Sequence, residues 1–143
     1  MVNKDANGLM PKGSFNNDIA YTKSVRLFTV KSLYRNFTIT VLLSGGAYGG
    51  ARPVSMLLSF FKSESSDTIY AYIQYLSTHR GFIPIKYKKN EDGTYSVYTY
   101  RTQYTPPFGC IILSGQSYIQ EGLSAVVDNS EIGDTAVDFE VVE

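Results

Sequence analysis

Apolar residues in this chain recur at every second position, in short runs broken by turn signals. That period is the signature of half-buried strands, and it leaves little room for helix. The ribbon "KYKKNEDGTYSVYTY" at Lys86–Tyr100 shows it best. Successive side chains of an extended chain point to opposite faces, so Tyr95, Val97 and Thr99 share one face. Thr94, Ser96, Tyr98 and Tyr100 share the other. Upstream, "FIPIKYK" sets Ile83, Ile85 and Tyr87 against Phe82, Pro84, Lys86 and Lys88. Between them stands "NEDG", Asn90–Gly93, where Gly93 can take a positive φ without a Cβ clash. The two halves read as a β-hairpin with one apolar face and one face of tyrosine and lysine. Pro84 has no N–H for a ladder and belongs at an edge or a strand start.

The same reading extends along the chain. "SVRLFTVKS", "RNFTITVLLS", "VSMLLSFFKS", "TIYAYIQYLS", "FGCIILS" and "AVDFEVV" are further strand candidates, and "LSAVV" (Leu123–Val127) is a ninth. Many short strands with turn signals between them predict an all-β fold. The expectation is a β-sandwich of about eight short antiparallel strands over residues 23–143. "PVSMLLSFFKS" and "TIYAYIQYL" also fit short helices, but their Tyr, Ile, Val and Phe density favours strands. In "AVDFEVV", Val137, Phe139 and Val141 fall opposite Asp138, Glu140 and Val142. Residues 1–22 are polar, with Gly8, Pro11 and Gly13, and read as a linker or a junction to something longer.

Thirteen basic and thirteen acidic residues cancel, so the surplus of positive charge expected of a nucleic-acid binder is missing. The charges are unevenly spread. Lys23 to Lys89 holds ten Lys or Arg against Glu64 and Asp67, whereas Glu121 onward holds seven acids and no base. Either these two segments pair with each other, or the surface is polarised for a partner. Cys110 is the sole cysteine, which forbids an intrachain disulfide, and "FGCIILS" places it as a small buried hydrophobe. No apolar stretch reaches membrane-spanning length, and the start lacks the apolar core of a signal peptide. Synthesis in the cytoplasm without membrane insertion is expected.

Candidates for chemistry are sparse. His79, in "STHRG", reads as a solvent-exposed loop residue. One histidine and one cysteine at unrelated positions make neither a zinc site nor a nucleophile–base pair. Glu64/Asp67 and Glu91/Asp92 are acidic pairs at turns that fit a glycosidase acid and base, though turn acids are mostly solvated. The expectation is a protein that is not an enzyme and uses no cofactor or metal. "GGAYGGARP", Gly45–Pro53, lacks the spacing of phosphate-binding loops. It is either a plain hairpin loop or an exposed recognition loop whose large side chains are Tyr48 and Arg52.

Twelve tyrosines and no tryptophan carry more information. A tyrosine presents a flat apolar ring with a polar tip and loses little entropy when fixed. Tyr70 and Tyr72 share one strand face, as do Tyr98 and Tyr100. If each sheet packs by its Ile/Val face, two tyrosine faces remain outside. A subunit interface is the first explanation for them, and a ligand surface the second.

The order of these pieces resembles the C-terminal head domain of phage tail fibres. An "LFTV" strand at Leu27–Val30 precedes a "YRNFTIT" strand at Tyr34–Thr40, then a glycine loop ending in Arg-Pro, then the "KNEDGTYSVY" hairpin at Lys89–Tyr98. The likeness covers Val25 to Leu113. It implies a homotrimer of β-sandwich heads at a fibre tip on the virion, made in the host cytoplasm. Such heads bind a host surface receptor, often a glycan. On this reading Tyr48, Arg52, Tyr98 and Tyr100 are the ligand contacts. A bacterial carbohydrate-binding module using the same tyrosines is the alternative, as is a purely structural virion or assembly protein.

Overall fold

A computed structural model describes residues 23–47, 52–64, 68–78, 84–100, 108–120 and 125–142. The expected strands form at β1 (Lys23–Val30), β2 (Phe37–Ala47), β3 (Arg52–Lys62) and β4 (Ile69–Tyr75). The hairpin follows as β5 (Ile85–Lys89) and β6 (Tyr95–Thr99), and β7 is Phe108–Ser114. Next come a short 3-10 turn at Gln116–Tyr118, β8 (Ala125–Asp128) and a one-turn helix α1 (Asn129–Ile132). Two-residue strands β9 (Val137–Asp138) and β10 (Glu140–Val141) follow.

These strands make two five-stranded sheets, in the orders β8-β1-β6-β5-β9 and β10-β4-β3-β2-β7. Among the described residues every strand pair is antiparallel except β10 with β4. The fold is thus the small all-β sandwich that the alternation predicts. "VSMLLSFFKS" is strand β3, as its β-rich composition favours over the helical option.

Alternation decides what goes inside. Phe37, Ile39, Val41 and Leu43 of β2 and Val54, Met56, Leu58 and Phe60 of β3 meet Val25, Phe28, Val30, Ile85 and Val97 of the first sheet in one core. Tyr87 and Tyr95 also point inward. Phe60 lies 5.6 Å from the Tyr87 ring in a T-shaped contact and 5.8 Å from Tyr95. These two tyrosines therefore serve packing. Cys110 is buried in β7, and burial pushes its thiol up to about 12, so it stays protonated and inert, as a small hydrophobe should.

The hairpin turn forms as expected. Gly93 has φ 89°, and its N–H donates to Asn90 O at 3.1 Å. Asp92 accepts from the Thr94 backbone N–H at 3.0 Å and from its hydroxyl at 2.6 Å. These bonds hold the Asp92 carboxyl below its ordinary range. β5 begins directly after Pro84, which accepts from Tyr100 N at 2.8 Å.

Two features depart from simple alternation. In β1 the pairing with β6 jumps from Arg26↔Tyr98 to Phe28↔Val97, so Leu27 is an extra residue and lies in the core. This β-bulge places Arg26 and Thr29, three apart, on the same outer face. The second departure is "AVDFEVV". It is not one strand: β9 pairs with β5 in the first sheet and β10 with β4 in the second. Phe139, at the crossing between them, is 5% exposed, while Val137 and Val141 are 48% and 40% exposed. The expected Val137–Phe139–Val141 face is corrected, because a segment that changes sheets cannot keep one alternation.

Candidate functional site

The segment from β8 to β9 crosses the outer face of the first sheet from one edge to the other. β8 pairs with β1, α1 lies over the middle, and β9 pairs with β5. The strap is acidic and the face beneath is basic. Asp128 pairs with Lys23, Glu131 with Arg26 at 2.9 Å, and Asp138 with Lys86 at 2.8 Å. Lys88 Nζ donates to the Glu131 carbonyl. The two oppositely charged segments of the sequence thus cover each other.

Tyr98 is the residue most changed by this strap. Its face of β6 was expected outside, but Tyr98 is 1% exposed and packs with Val127 and Ile132, with Tyr100 and Ala136 partly covered alongside. The exposed-ribbon expectation is corrected: the strap covers it. The Tyr98 hydroxyl donates to Glu131 Oε2 at 2.9 Å. Burial first, then the Glu131 hydrogen bond, pushes Tyr98 up to about 12. Tyr100 keeps a half-buried place, with Lys86 Nζ 5.4 Å above its ring.

Beside the strap a polar cleft of about 560 Å³ opens between the hairpin turn and α1. Its floor is a chain of short side chains on the hairpin turn, β6 and β1. Asn90 Nδ2 donates to Thr94 Oγ1 and to Ser96 Oγ, both at 2.9 Å, and Ser96 Oγ lies 3.3 Å from Thr29 Oγ1. Arg26, Lys88 and Glu131 stand on one side, and Glu91 and Asp92 on the turn. Gln120 joins because its N–H donates to Thr29 O at 2.8 Å. No single motif in the sequence marks this cleft. Its sole signals were the complementary charge runs and the acidic turn.

A second surface is the outer face of the other sheet, where the register builds rows. Tyr70, Phe61 and Thr38 form one, and Tyr72, Ser59 and Thr40 the next. Gln74, Leu57, Leu42 and Ile111 form a third. The Tyr70 ring lies 6.0 Å from Phe61 and 6.3 Å from Tyr72, the latter pair within 16° of parallel. Tyr70 is 51% exposed. This is the tyrosine face of β4 that alternation places outside.

Of the glycine loop, Arg52 opens β3 with its backbone opposite Ala47, at the end of the long β2–β3 hairpin. Tyr48 lies outside the described residues, as do His79 and Asp67. Among the described residues no group of His, Cys, Asp or Glu is placed to hold a metal ion, and no helix is long and apolar enough to cross a membrane.

The class these features define is a two-sheet, mostly antiparallel β-sandwich with a polar cleft on one outer face and an aromatic row on the other. No protein-family model matches the chain, and no curated protein matches it. Among solved structures it is similar in fold to part of Pantoea stewartii WceF, described as a glycan biofilm modifying enzyme with a bacteriophage tailspike-like parallel beta-helix fold. The TM-score is 0.53 at 11% identity, covering 84% of this chain and 20% of that one. The chain thus spans a fifth of the protein it matches, and what they share is fold.

The expectation of a non-enzyme is corrected by this match, because the similar protein is an enzyme acting on glycan. Three carboxylates, Glu91, Asp92 and Glu131, line the cleft.

Proposed function

We propose that this chain is a carbohydrate-contacting β-sandwich module. The observation that carries this reading is the outer face of β4 and β3, where Phe61, Tyr70 and Tyr72 alternate with Ser59, Thr38 and Thr40. A sugar ring has C–H faces that lie on aromatic rings and hydroxyl edges that bond to side-chain hydroxyls. A face that mixes rings with Ser and Thr meets both needs, and Glu140 of β10, in register with Tyr72, adds one carboxylate at its edge. The fold likeness to part of a glycan-modifying, tailspike-like protein supports the same ligand class.

The test is binding of bacterial surface polysaccharide fragments by calorimetry. Tyr70→Ala/Tyr72→Ala is expected to weaken binding tenfold or more, roughly 1.4 kcal/mol. Melting temperature should hardly move, since Tyr70 is half exposed. Unchanged affinity overturns the assignment to this face. Tyr48→Ala/Arg52→Ala, run beside it, tests the glycine loop as a second contact, and a loss there alone moves the site to the loop.

A second reading has its own observation. Leu42, Leu57 and Ile111 form an apolar row on the same face, and Leu113 is 53% exposed. Such a row suits burial between subunits. It fits the homotrimeric, virion-borne fibre tip that the tail-fibre resemblance implies, with a host receptor at its end. Light scattering decides it: a trimeric mass lost on Leu42→Lys supports the fibre tip, and a monomeric wild type overturns it.

A further inference from the structure

We propose that the polar cleft between the hairpin turn and α1 is a second saccharide site, and that it takes a neutral sugar unit. The proposal rests on the carbohydrate reading above and adds a site on the opposite sheet, built by different chemistry. Its volume, about 560 Å³, lies in the range of small-ligand sites.

The floor is fixed before any ligand arrives. Asn90 spends both amide hydrogens on Thr94 and Ser96, which locks its orientation and leaves its carbonyl Oδ1 as an oriented acceptor. Thr94 in turn donates to Asp92. Opposite, Arg26 and Tyr98 both contact Glu131 at one oxygen, Oε2. The other oxygen, Oε1, receives no contact from the described residues and keeps its accepting capacity. The Arg26 and Glu131 side chains are 30% and 36% exposed, so solvent and a ligand can reach them. Arg26 has five N–H donors and Lys88 three, and the contacts to Glu131 use one from each. Acceptors on the turn, the donors Arg26 and Lys88 beside the accepting Glu131 across from it, and a locked amide match the vicinal hydroxyls of a sugar, each of which donates and accepts.

Charge selects among sugars. Arg26 and Lys88 face Glu91, Asp92 and Glu131 in the lining, which leaves one net negative charge. Asp92 stays ionised, since its bonds to Thr94 favour the charged form. A uronate or a phosphorylated sugar is repelled, and a neutral hexose is not.

The experiment is amide chemical-shift mapping of the wild-type protein, titrated with neutral hexasaccharides of glucose, galactose and mannose and with hexagalacturonate. At least one neutral hexamer is expected to shift Ser96, Asn90 and Glu131, and hexagalacturonate to bind at least tenfold more weakly. Glu131→Gln, which keeps shape and a contact for Tyr98, is expected to weaken the neutral hexamer about fivefold. Asn90→Ala should weaken it more. Shifts confined to Tyr70, Tyr72 and Ser59 overturn the cleft and leave the aromatic face standing. Shifts confined to the cleft uphold it and remove the aromatic face. No shift with any neutral hexamer, or tighter binding of hexagalacturonate, overturns the cleft as a neutral-sugar site.

Discussion

Phe139→Ala is expected to destabilise the domain by about 3–5 kcal/mol, the usual cost of emptying a large aromatic site in a core. Its ring stands 5.9 Å from Tyr87 in an edge contact and 6.4 Å from Phe60, so one deletion loosens an aromatic cluster drawn from both sheets. The backbone multiplies the effect. Phe139 N donates to Ile85 O at 2.9 Å, and Val142 N donates to Ile73 O at 2.8 Å, so the segment is tied to one sheet on each side of the ring. Val137→Ala and Val141→Ala, two residues away on either side, are expected to cost at most about 0.5–1 kcal/mol, because both side chains are half exposed. Urea denaturation of the three variants measures this. A Phe139 cost no larger than the valine costs would mean that the crossing segment is not seated.

Tyr98→Ala is expected to cost a comparable amount, about 3–5 kcal/mol, for a different reason. Here the ring supports the strap rather than the central core, packing on Val127 and Ile132. Tyr98→Phe separates ring from hydroxyl. It keeps the packing and loses a bond to a carboxylate, worth about 1.5–3 kcal/mol. The pH dependence gives a second readout. The folded phenol is raised from 10.0 to about 12, so the native state holds its proton where the unfolded chain has lost it. The resulting stability is complete below pH 10 and is lost as pH rises toward 12. Tyr87, raised by burial, acts in the same direction. Denaturation midpoints between pH 9 and pH 12 should therefore fall for wild type and fall less for Tyr98→Phe. Equal slopes would place the Tyr98 hydroxyl outside the strap contact.

The fold was readable because β2, β3 and β4 alternate buried and outward residues, and alternation is a local property. The Asn90–Gly93 turn, the strand start after Pro84 and the inert Cys110 follow from single-residue chemistry. What local reading missed are the non-local events. The Leu27 bulge has no sequence mark, since Leu27 and Phe28 are both apolar and either fits the core. The division of "AVDFEVV" between sheets depends on which edges are open, and no seven-residue window holds that information. Tyr98 went from expected surface to 1% exposed because its cover arrives from 33 residues further along. The charge runs did carry that signal: ten bases and seven acids in separate segments foretold a contact between them, though not its register. The cleft was unreadable for the same reason, as Arg26, Asn90 and Glu131 meet only once the strap is laid.

The strap also sets an order of events in folding. Its contacts with β1 join residues 105 positions apart, as in Arg26 with Glu131, and loops that long close slowly. During synthesis, β1, β5 and β4 emerge well before the segment that caps them. For that interval each presents an unpaired edge, the template through which nascent chains join one another. A ribosome that stalls before Ala125 therefore leaves a product whose hazard is intermolecular pairing, and slow translation upstream of that point would lengthen the exposure.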